Sequence, residues 1–581
     1  MSRGYSSYRH KGRYFVRYNH SDSHPWGLGS RLAATIPKED PRAFNAWLEN
    51  ARAQLDADYE ELKNIGGTDD SDDSNDSNDS DDSNDSNDSD GSYDTDKIDR
   101  RAYFVSDKQP VTDRYIDWVW EIDLDRLVFL VCAEPFFRLD HMPWDDVFLQ
   151  CIGYDHYGHH APIEETPSEY RYNWTAPPPS VEDAALEVYV AHKRNETSAA
   201  TLLSAVDGDV LSDDECVHTQ LLEVLVGNIM KAPAVGHSVR LTENVARPEE
   251  LTQDIRDFAV LLPCLALLPS IFPYPDLKRP ENVDAIWLRR DVVLRVTTHL
   301  DDERNMQAGI AALVSAIMST TEGEGIVYGV VFSIFHCVLV RVDMNAGGSF
   351  DHTPALQFLP SFYAKSPSTP GITALARLGF RYDPDIVERT AQWLHHKGAS
   401  TSLDLSVSSL APFKISPAPD ITALDRLPME ILEQIVGHIS TRSADLLKLA
   451  QLSERCKSFA AMQLRAPFIS DLQLTRAIPR SSPLGRAAHG DESTEHNNLP
   501  AYPLQVHPDE SRRHDKLTTQ SFAAHSDHFG YVLVHLCEMR RTSRPFTGNV
   551  LRTLPLEIPH IARDRFRHSK FAVVFEEMPA T

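Results

Sequence analysis

Twenty-five histidines and seven cysteines are the residues of this 581-residue chain best suited to metal or nucleophilic chemistry, so their spacing is the first question. Asp155-His156-Tyr157-Gly158-His159-His160 is the densest group. A zinc-binding helix needs two histidines four residues apart with a glutamate between them, and here a glycine sits in the middle, so the stretch reads as a turn whose histidines meet solvent or backbone. His525-Ser526-Asp527-His528 and His395-His396 offer less. The cysteines (Cys132, Cys151, Cys216, Cys264, Cys337, Cys456, Cys537) are odd in number and never form C-x-x-C, which suggests neither a disulfide framework nor a zinc knuckle and fits a reducing compartment. His336-Cys337 lies within an apolar run, where a thiol is held protonated and inert. Gly323-Glu324-Gly325 opens a segment faintly like a kinase glycine loop, but its third glycine, Gly329, comes one residue late and no H-R-D or D-F-G follows. No phosphate-binding loop, serine nucleophile elbow or dinucleotide fingerprint occurs. The expectation is a protein with no catalytic, cofactor-binding or metal-ligating residues, and not an enzyme.

Charge narrows the partners. The chain holds 57 Lys+Arg against 85 Asp+Glu, a formal charge of -28. Asp69 to Asp96 alone contains 13 Asp with no Lys, Arg or Glu, leaving -15 for the remainder. Such a chain is repelled by phosphate backbones and anionic lipid, and its basic runs, such as Arg289-Arg290 and Arg540-Arg541, are short, so neither nucleic acid nor a membrane is an expected partner. The N-terminus lacks an apolar signal region. Phe258 to Phe272 is interrupted by Pro263 and Pro269, and Gly325 to Val340 is too short to span a bilayer; both read as buried core. The expected location is cytoplasmic or nuclear.

The elements follow from periodicity. Tyr8 to Tyr18 alternates around Lys11-Gly12 as a hairpin. Asp40-Pro41 starts a helix whose Phe44, Trp47, Leu48, Ala51, Leu55, Tyr59 and Leu62 recur at helical spacing. From Thr68 to Thr95 a Ser or Thr falls at every third position among Asp and Asn, a composition that buries no apolar surface and predicts a disordered tract. A second hairpin is expected from Ile116 to Ala133 with its turn at Asp123–Arg126, and a short helix from Pro143 to Ile152. Further helices are expected at Val181 to Arg194, started by Ser180 and Asp183, at Asp213 to Met230 and at Glu303 to Met318, with buried strand over Gly325 to Val342.

Near the C-terminus, Leu427-Pro428-Met429-Glu430-Ile431-Leu432 opens a helix, with Pro428 in its first turn and Leu427 held extended ahead of it. Ile435 and Ile439 continue the stripe. Ser443 caps a second helix carrying Leu446, Leu447 and Leu449, and Ser453 a third carrying Cys456, Phe459 and Leu464. Three helices in about 45 residues expose more apolar surface than they cover among themselves, so a partner is expected. The same opening recurs at Leu554-Pro555-Leu556-Glu557-Ile558, but Pro559 blocks continuation as a helix, which marks it as a coincidence.

The block at 425–468 resembles an F-box, through Leu427-Pro428-x-Glu430-Ile431-Leu432-x-x-Ile435, Leu446-Leu447-x-Leu449-Ala450 and the Leu452-Ser453 step into the third helix. The resemblance implies a substrate-recruiting adaptor of a Skp–cullin–F-box ubiquitin ligase. Leu427, Pro428, Ile431, Leu432, Ile435, Leu446, Leu447 and Leu449 would then pack against the Skp-family linker and, through it, engage a cullin. In the third helix Cys456 and Phe459 are the candidates for the bulky residue common in the family. Earlier stretches (Tyr18 to Ser23, Phe148 to Ala161 and His352 to Pro360) are similar to uncharacterised proteins of filamentous fungi, a resemblance that brings no activity.

The resulting plan is an α+β chain. A hairpin plus helix at 1–66 precedes the acidic tract at 67–97 and an α+β region at 98–404. That region is one domain or two, and is either separate from 1–66 or continuous with it. A linker at 405–424, the three-helix module at 425–468, a second linker at 469–516 and a short C-terminal region at 517–581 follow. The expected function is the adaptor, recruiting an unknown protein substrate through another region. The alternatives are a non-catalytic scaffold whose acidic tract engages basic partners and an enzyme of unrecognised family using the histidine loops.

Overall fold

The computed structural model describes residues 2–38, 40–65, 103–112, 115–173, 176–179, 181–194, 211–230, 233–267, 285–320, 325–361, 364, 366–381, 385–388, 390–391, 427–428, 431, 443–465, 468–469, 472–478, 520–526, 530–538, 550–556 and 571–577. The acidic tract and the 405–424 linker lie outside them. The fold is α+β, and packing divides it into two units: 1–155 with 160–174, and 156–159 with 175–581.

In the first unit, β1 (Gly4–His10) and β2 (Arg13–Asn19) form the N-terminal hairpin, with Lys11 and Gly12 both at positive φ in its turn. The short helix α1 (Ser30–Ala34) and the long α2 (Pro41–Ile65) follow, then β3 (Tyr103–Ser106), β4 (Trp118–Asp123), β5 (Val128–Val131) and β6 (Glu134–Arg138). The sheet order is β3-β2-β1-β4-β5-β6, antiparallel except for the parallel β1/β4 pair at its centre. The hairpin and helix of 1–66 are therefore continuous with the region after the tract. The unit closes with α3 (Asp145–Gln150) and the small hairpin β7 (Ile152–Tyr154) and β8 (His160–Pro162).

Strand alternation sends Tyr8, Phe15, Trp120, Ile122, Phe129 and Phe137 to one face, where Phe44, Leu48 and Leu55 of α2 and Phe148 of α3 complete an aromatic core. The Trp120 indole N–H donates to the Ser23 carbonyl at 2.7 Å, and Gly29 lies against the same ring so closely that a Cβ there would collide with it. Of the stretch Tyr18–Ser23, Ser23 at its end thus anchors Trp120. On the opposite face sit Ser7, Glu121 and Asp123, all buried. Asp123 takes Arg9 Nη1 at 2.9 Å, Arg126 Nε at 2.6 Å and two backbone N–H groups in its own turn. Among the described residues Glu121 has only Gln109 Nε2 at 2.8 Å on Oε2, and its Oε1 is buried with no hydrogen-bond partner.

The second unit contains α4 (Asp183–His192), α5 (Asp213–Met230), α6 (Pro233–Leu241), α7 (Gln253–Leu267), β9 (Ile286–Arg289), β10 (Val292–Val296), α8 (Glu303–Thr320), β11 (Ile326–Phe332), β12 (His336–Asp343), β13 (Ser349–His352), β14 (Leu356–Gln357) and α9 (Pro370–Arg381). Its first sheet runs β13-β12-β11-β10-β9, with β14 beside β12. The β10/β11 pair is parallel, and α8 makes the crossover between them. Val293, Val331, Val338 and Val340 pack with Ile310, Leu313 and Val314 of α8 and Tyr189 of α4; the other face packs Val292, Leu294, Val330 and Leu339 with α5, α6, α7 and α9.

The buried strand expected over Gly325 to Val342 is present as the hairpin β11–β12, where Ser333 takes the backbone N–H of His336 on its side chain at the turn. Two other expectations are corrected here. Pro263 does not interrupt the 258–267 run, since it lies inside the continuous helix α7. The start of α4 has Glu182 as its cap residue with no side-chain cap bond. Ser180 lies outside the described residues.

After α10 (Ser443–Ala450) and α11 (Glu454–Leu464), an antiparallel sheet is formed by β15 (Phe468–Ile469), β16 (Leu472–Ile478), β17 (Gln520–Ser526), β18 (Gly530–Glu538), β19 (Val550–Leu556) and β20 (Phe571–Glu577), in the order β15-β16-β17-β18-β20-β19. The linker expected from residue 469 is therefore corrected. Leu472-Gln473-Leu474-Thr475-Arg476-Ala477-Ile478 alternates with the period of a strand, and Leu474 is fully buried in the core formed by α5 and α7. Leu554-Pro555-Leu556, the start of the second copy of the motif, lies in the strand β19.

Two buried titratable groups make opposite contributions to stability. Burial pushes the Glu121 carboxyl up to about 7, so the folded chain holds a proton that the unfolded chain has released, and stability falls as pH rises from about 4.5 to 7. His218, fully buried in α5 with Nε2 donating to the Ala266 carbonyl at 2.9 Å, is pushed down by burial to about 4, so stability falls as pH drops from about 6.5 to 4. Each effect is worth about 3 kcal/mol. Urea unfolding across pH 4–8 is expected to show Glu121→Gln gaining on the wild type toward pH 8 and His218→Gln gaining toward pH 4. Curves parallel to the wild type would mean that these groups ionise as they do in the unfolded chain.

Candidate partner-docking site

The helical block begins with Leu427, which is partly buried and whose carbonyl accepts a hydrogen bond from Arg455 Nη1 of α11. Pro428 is exposed, and its carbonyl accepts the Ile431 N–H at 3.2 Å, closing a turn. Ile431 is 40% exposed. Leu432 and Ile435 lie outside the described residues, as does Glu430. The remaining candidates are placed differently: Leu446, Leu447 and Leu449 on α10 are buried.

What buries them is visible in the packing. Leu446, Leu447, Leu449 and Ala450 form a cluster with Cys456, Phe459, Ala460 and Leu464 of α11. The tight step between the helices is made by Ser453, whose hydroxyl caps α11 by accepting the Cys456 N–H at 3.1 Å. Cys456, fully buried beneath this cap, fills the helix–helix interface. Of the six candidates among the described residues, Pro428 and Ile431 are exposed, Leu427 is partly buried, and Leu446, Leu447 and Leu449 on α10 face inward. Leu452 and Met462 are also exposed apolar side chains of this block.

Sequence reasoning missed one part of the site. Ile386, Val387 and Ala391 belong to the same cluster, and Lys457 Nζ of α11 pairs with Glu388 Oε1 at 2.6 Å. The signal was available as two adjacent aliphatics after Pro384-Asp385, a helix-start pattern, but the segment is too short to rise above the region around it.

The residues weighed for other chemistry are absorbed by packing. Trp118 stacks on His160 at 3.9 Å in the first unit, so one face of this partly buried histidine meets a ring. In the second unit His156 contacts the Tyr157 ring at 3.8 Å, and Arg240 donates to His159 Nδ1 at 3.4 Å. Burial pushes the Cys337 thiol far above its ordinary range, and its Sγ lies 3.8 Å from the Gly371 carbonyl. Burial likewise raises Cys132 to about 12. Among the described residues no three His, Cys, Asp or Glu side chains are grouped to hold a metal, and no helix is long and apolar enough to cross a membrane. His395-His396 and His528 lie outside the described residues, and His525 is in β17.

The chain matches no protein-family model, no curated protein and no solved structure.

Removing the Ser453 hydroxyl tests the geometry of the helix pair. Ser453→Ala is expected to cost about 1 kcal/mol and to speed amide exchange over the first turn of α11, measured by peptide-resolved hydrogen exchange. Unchanged exchange at 454–457 would show that the cap carries no weight.

Proposed function

We propose that this chain is a substrate-recruiting adaptor of a Skp–cullin–F-box ubiquitin ligase, docking on the Skp-family linker through the block at 425–468. The observation that carries the reading is the Leu427-Pro428 opening followed by Ile431, an aliphatic side chain left exposed beside a helix pair with its own compact core. An exposed aliphatic next to a small folded helical pair gains by burial against a partner, while α10 and α11 hold the surface in shape. Mechanism then requires no catalytic group in this chain. A bound adaptor holds a substrate lysine near the conjugating enzyme, raising its effective concentration. Within this reading the recruiting surface belongs to the α+β units that precede the block, and the substrate is a protein.

Exposed and buried candidates behave differently under substitution, which gives the test its discrimination. Ile431→Asp in the full chain is expected to weaken binding of a purified Skp-family linker at least tenfold, read by titration calorimetry, with the unfolding midpoint unchanged because the residue is exposed. Leu446→Asp is expected to lose binding and stability together, since it places a charge in the helix–helix core. A wild-type chain with an intact helical block that does not bind the linker would sink the adaptor reading.

A further inference from the structure

The helix α4 hangs on one side chain. Of its ten residues only Tyr189 is buried, in the cluster of Val293, Ile310 and Leu313, with Val188 partly buried at the margin. The Tyr189 ring lies 5.5 Å from that of Phe350 in β13, and its hydroxyl is 2.6 Å from His352 Nε2. The geometry fixes the protons. His352 Nδ1 is 2.7 Å from the Thr353 carbonyl, an oxygen that only accepts, so Nδ1 carries the proton of the neutral ring. Nε2 then presents a lone pair, and the Tyr189 hydroxyl donates to it. Past α4 the chain follows the same strand: Lys193 bridges to Phe350, the Arg194 N–H donates to the Phe350 carbonyl at 3.0 Å, and the guanidinium reaches Ser349 Oγ at 2.9 Å and Asp343 Oδ2 at 2.7 Å. Because β13 ends the strand order of its sheet, residues 189–194 strap the helix to a sheet edge.

Acid breaks this arrangement at one point. A proton on Nε2 turns the ring into a double donor facing the Tyr189 hydroxyl. The hydroxyl can accept only by turning its own hydrogen away from the one hydrogen-bond partner it has among the described residues, which leaves a buried donor unsatisfied. Burial pushes the His352 imidazole below its ordinary value; the Thr353 carbonyl opposes that, Lys193 adds to it and Asp351 opposes it. The Asp351 carboxylate also faces Arg194 at 3.8 Å and Arg341 at 3.7 Å, which divides its support for a charged ring. The Arg194 end is insensitive to acid over the same range, because its guanidinium stays charged and holds the Asp343 carboxyl below the usual carboxylate range. We propose that residues 183–194 form a strap whose Tyr189 end docks on β13 while His352 is neutral and is released when the ring takes up a proton, with Arg194 as the remaining tether. The docked strap favours the neutral ring, so docking is complete above the ordinary histidine value of about 6.5 and is lost as pH falls below it. This device is independent of the adaptor reading.

Peptide-resolved hydrogen exchange of the full chain at pH 7.5 and pH 5.0, corrected for the intrinsic pH dependence of amide exchange, reads the strap directly. The wild type is expected to lose protection over 184–192 by about threefold or more at the lower pH, with α8 at 303–320 protected at both. His352→Gln keeps an acceptor for the Tyr189 hydroxyl that takes up no proton, and is expected to show the same protection at both pH values. Tyr189→Phe removes the donor while leaving the ring in its pocket, and is expected to exchange faster at pH 7.5 and to lose the pH dependence. A wild-type strap equally protected at both pH values overturns the proposal, as does parallel loss over α8, which would make the opening global. If His352→Gln is undocked at both pH values, Tyr189→Phe decides: loss of the pH dependence supports the device, and a dependence kept in full overturns it, because burial of the imidazole alone would then drive release.

Discussion

Two of the six-stranded sheets in this chain are each organised around one parallel strand pair, and that pairing dictates how the chain must run. Parallel neighbours need a crossover connection, which leaves the sheet and returns along a covered face. In the second unit the connection from β10 to β11 is α8, and its Ile310, Leu313 and Val314 become the core of that face. In the first, β1 and β4 are separated by more than a hundred residues, and the connection carries α2 along the aromatic face. The same connection has room in sequence for residues 66–102, the acidic tract among them, because lengthening an existing loop adds little closure entropy.

The parallel pair also explains where polar groups become buried. A strand at the centre of a six-stranded sheet presents alternate residues to both faces, so β4 sends Trp120 and Ile122 to the aromatic core and Glu121 and Asp123 to the other side. Asp123 is compensated by two arginines and its own turn, whereas among the described residues Glu121 has a single neutral donor. Low-dielectric surroundings strengthen the first arrangement and raise the proton affinity of the second. His218 in α5 answers to the same physics with the opposite sign.

The helical block is a smaller problem with a different solution. Two helices of 8 and 11 residues bury one interface between themselves and need a cover for the remainder. Ile386, Val387 and Ala391 supply part of that cover, with Glu388 paired to Lys457. The buried aliphatics on α10 and the exposed Ile431 therefore have separate roles, although a motif lists them together.

Local pattern alone determined the hairpins at β1–β2 and β4–β5, the helices at 41–65, 213–230 and 303–320, and the Ser453 cap. These depend on residues a few positions apart, where turn chemistry and the 2.0 or 3.6 period act directly. Tertiary structure alone decided that Gly4 to His10 lies beside Trp118 to Asp123, and that the 472–478 segment is strand rather than linker. It also decided that His160 stacks on Trp118, and that Leu446, Leu447 and Leu449 face inward with Ile386, Val387 and Ala391 packed in their cluster. An apolar stripe records that a face will be buried. What buries it is set by competition among all the apolar faces of the folded chain, and that competition is not written in any one segment.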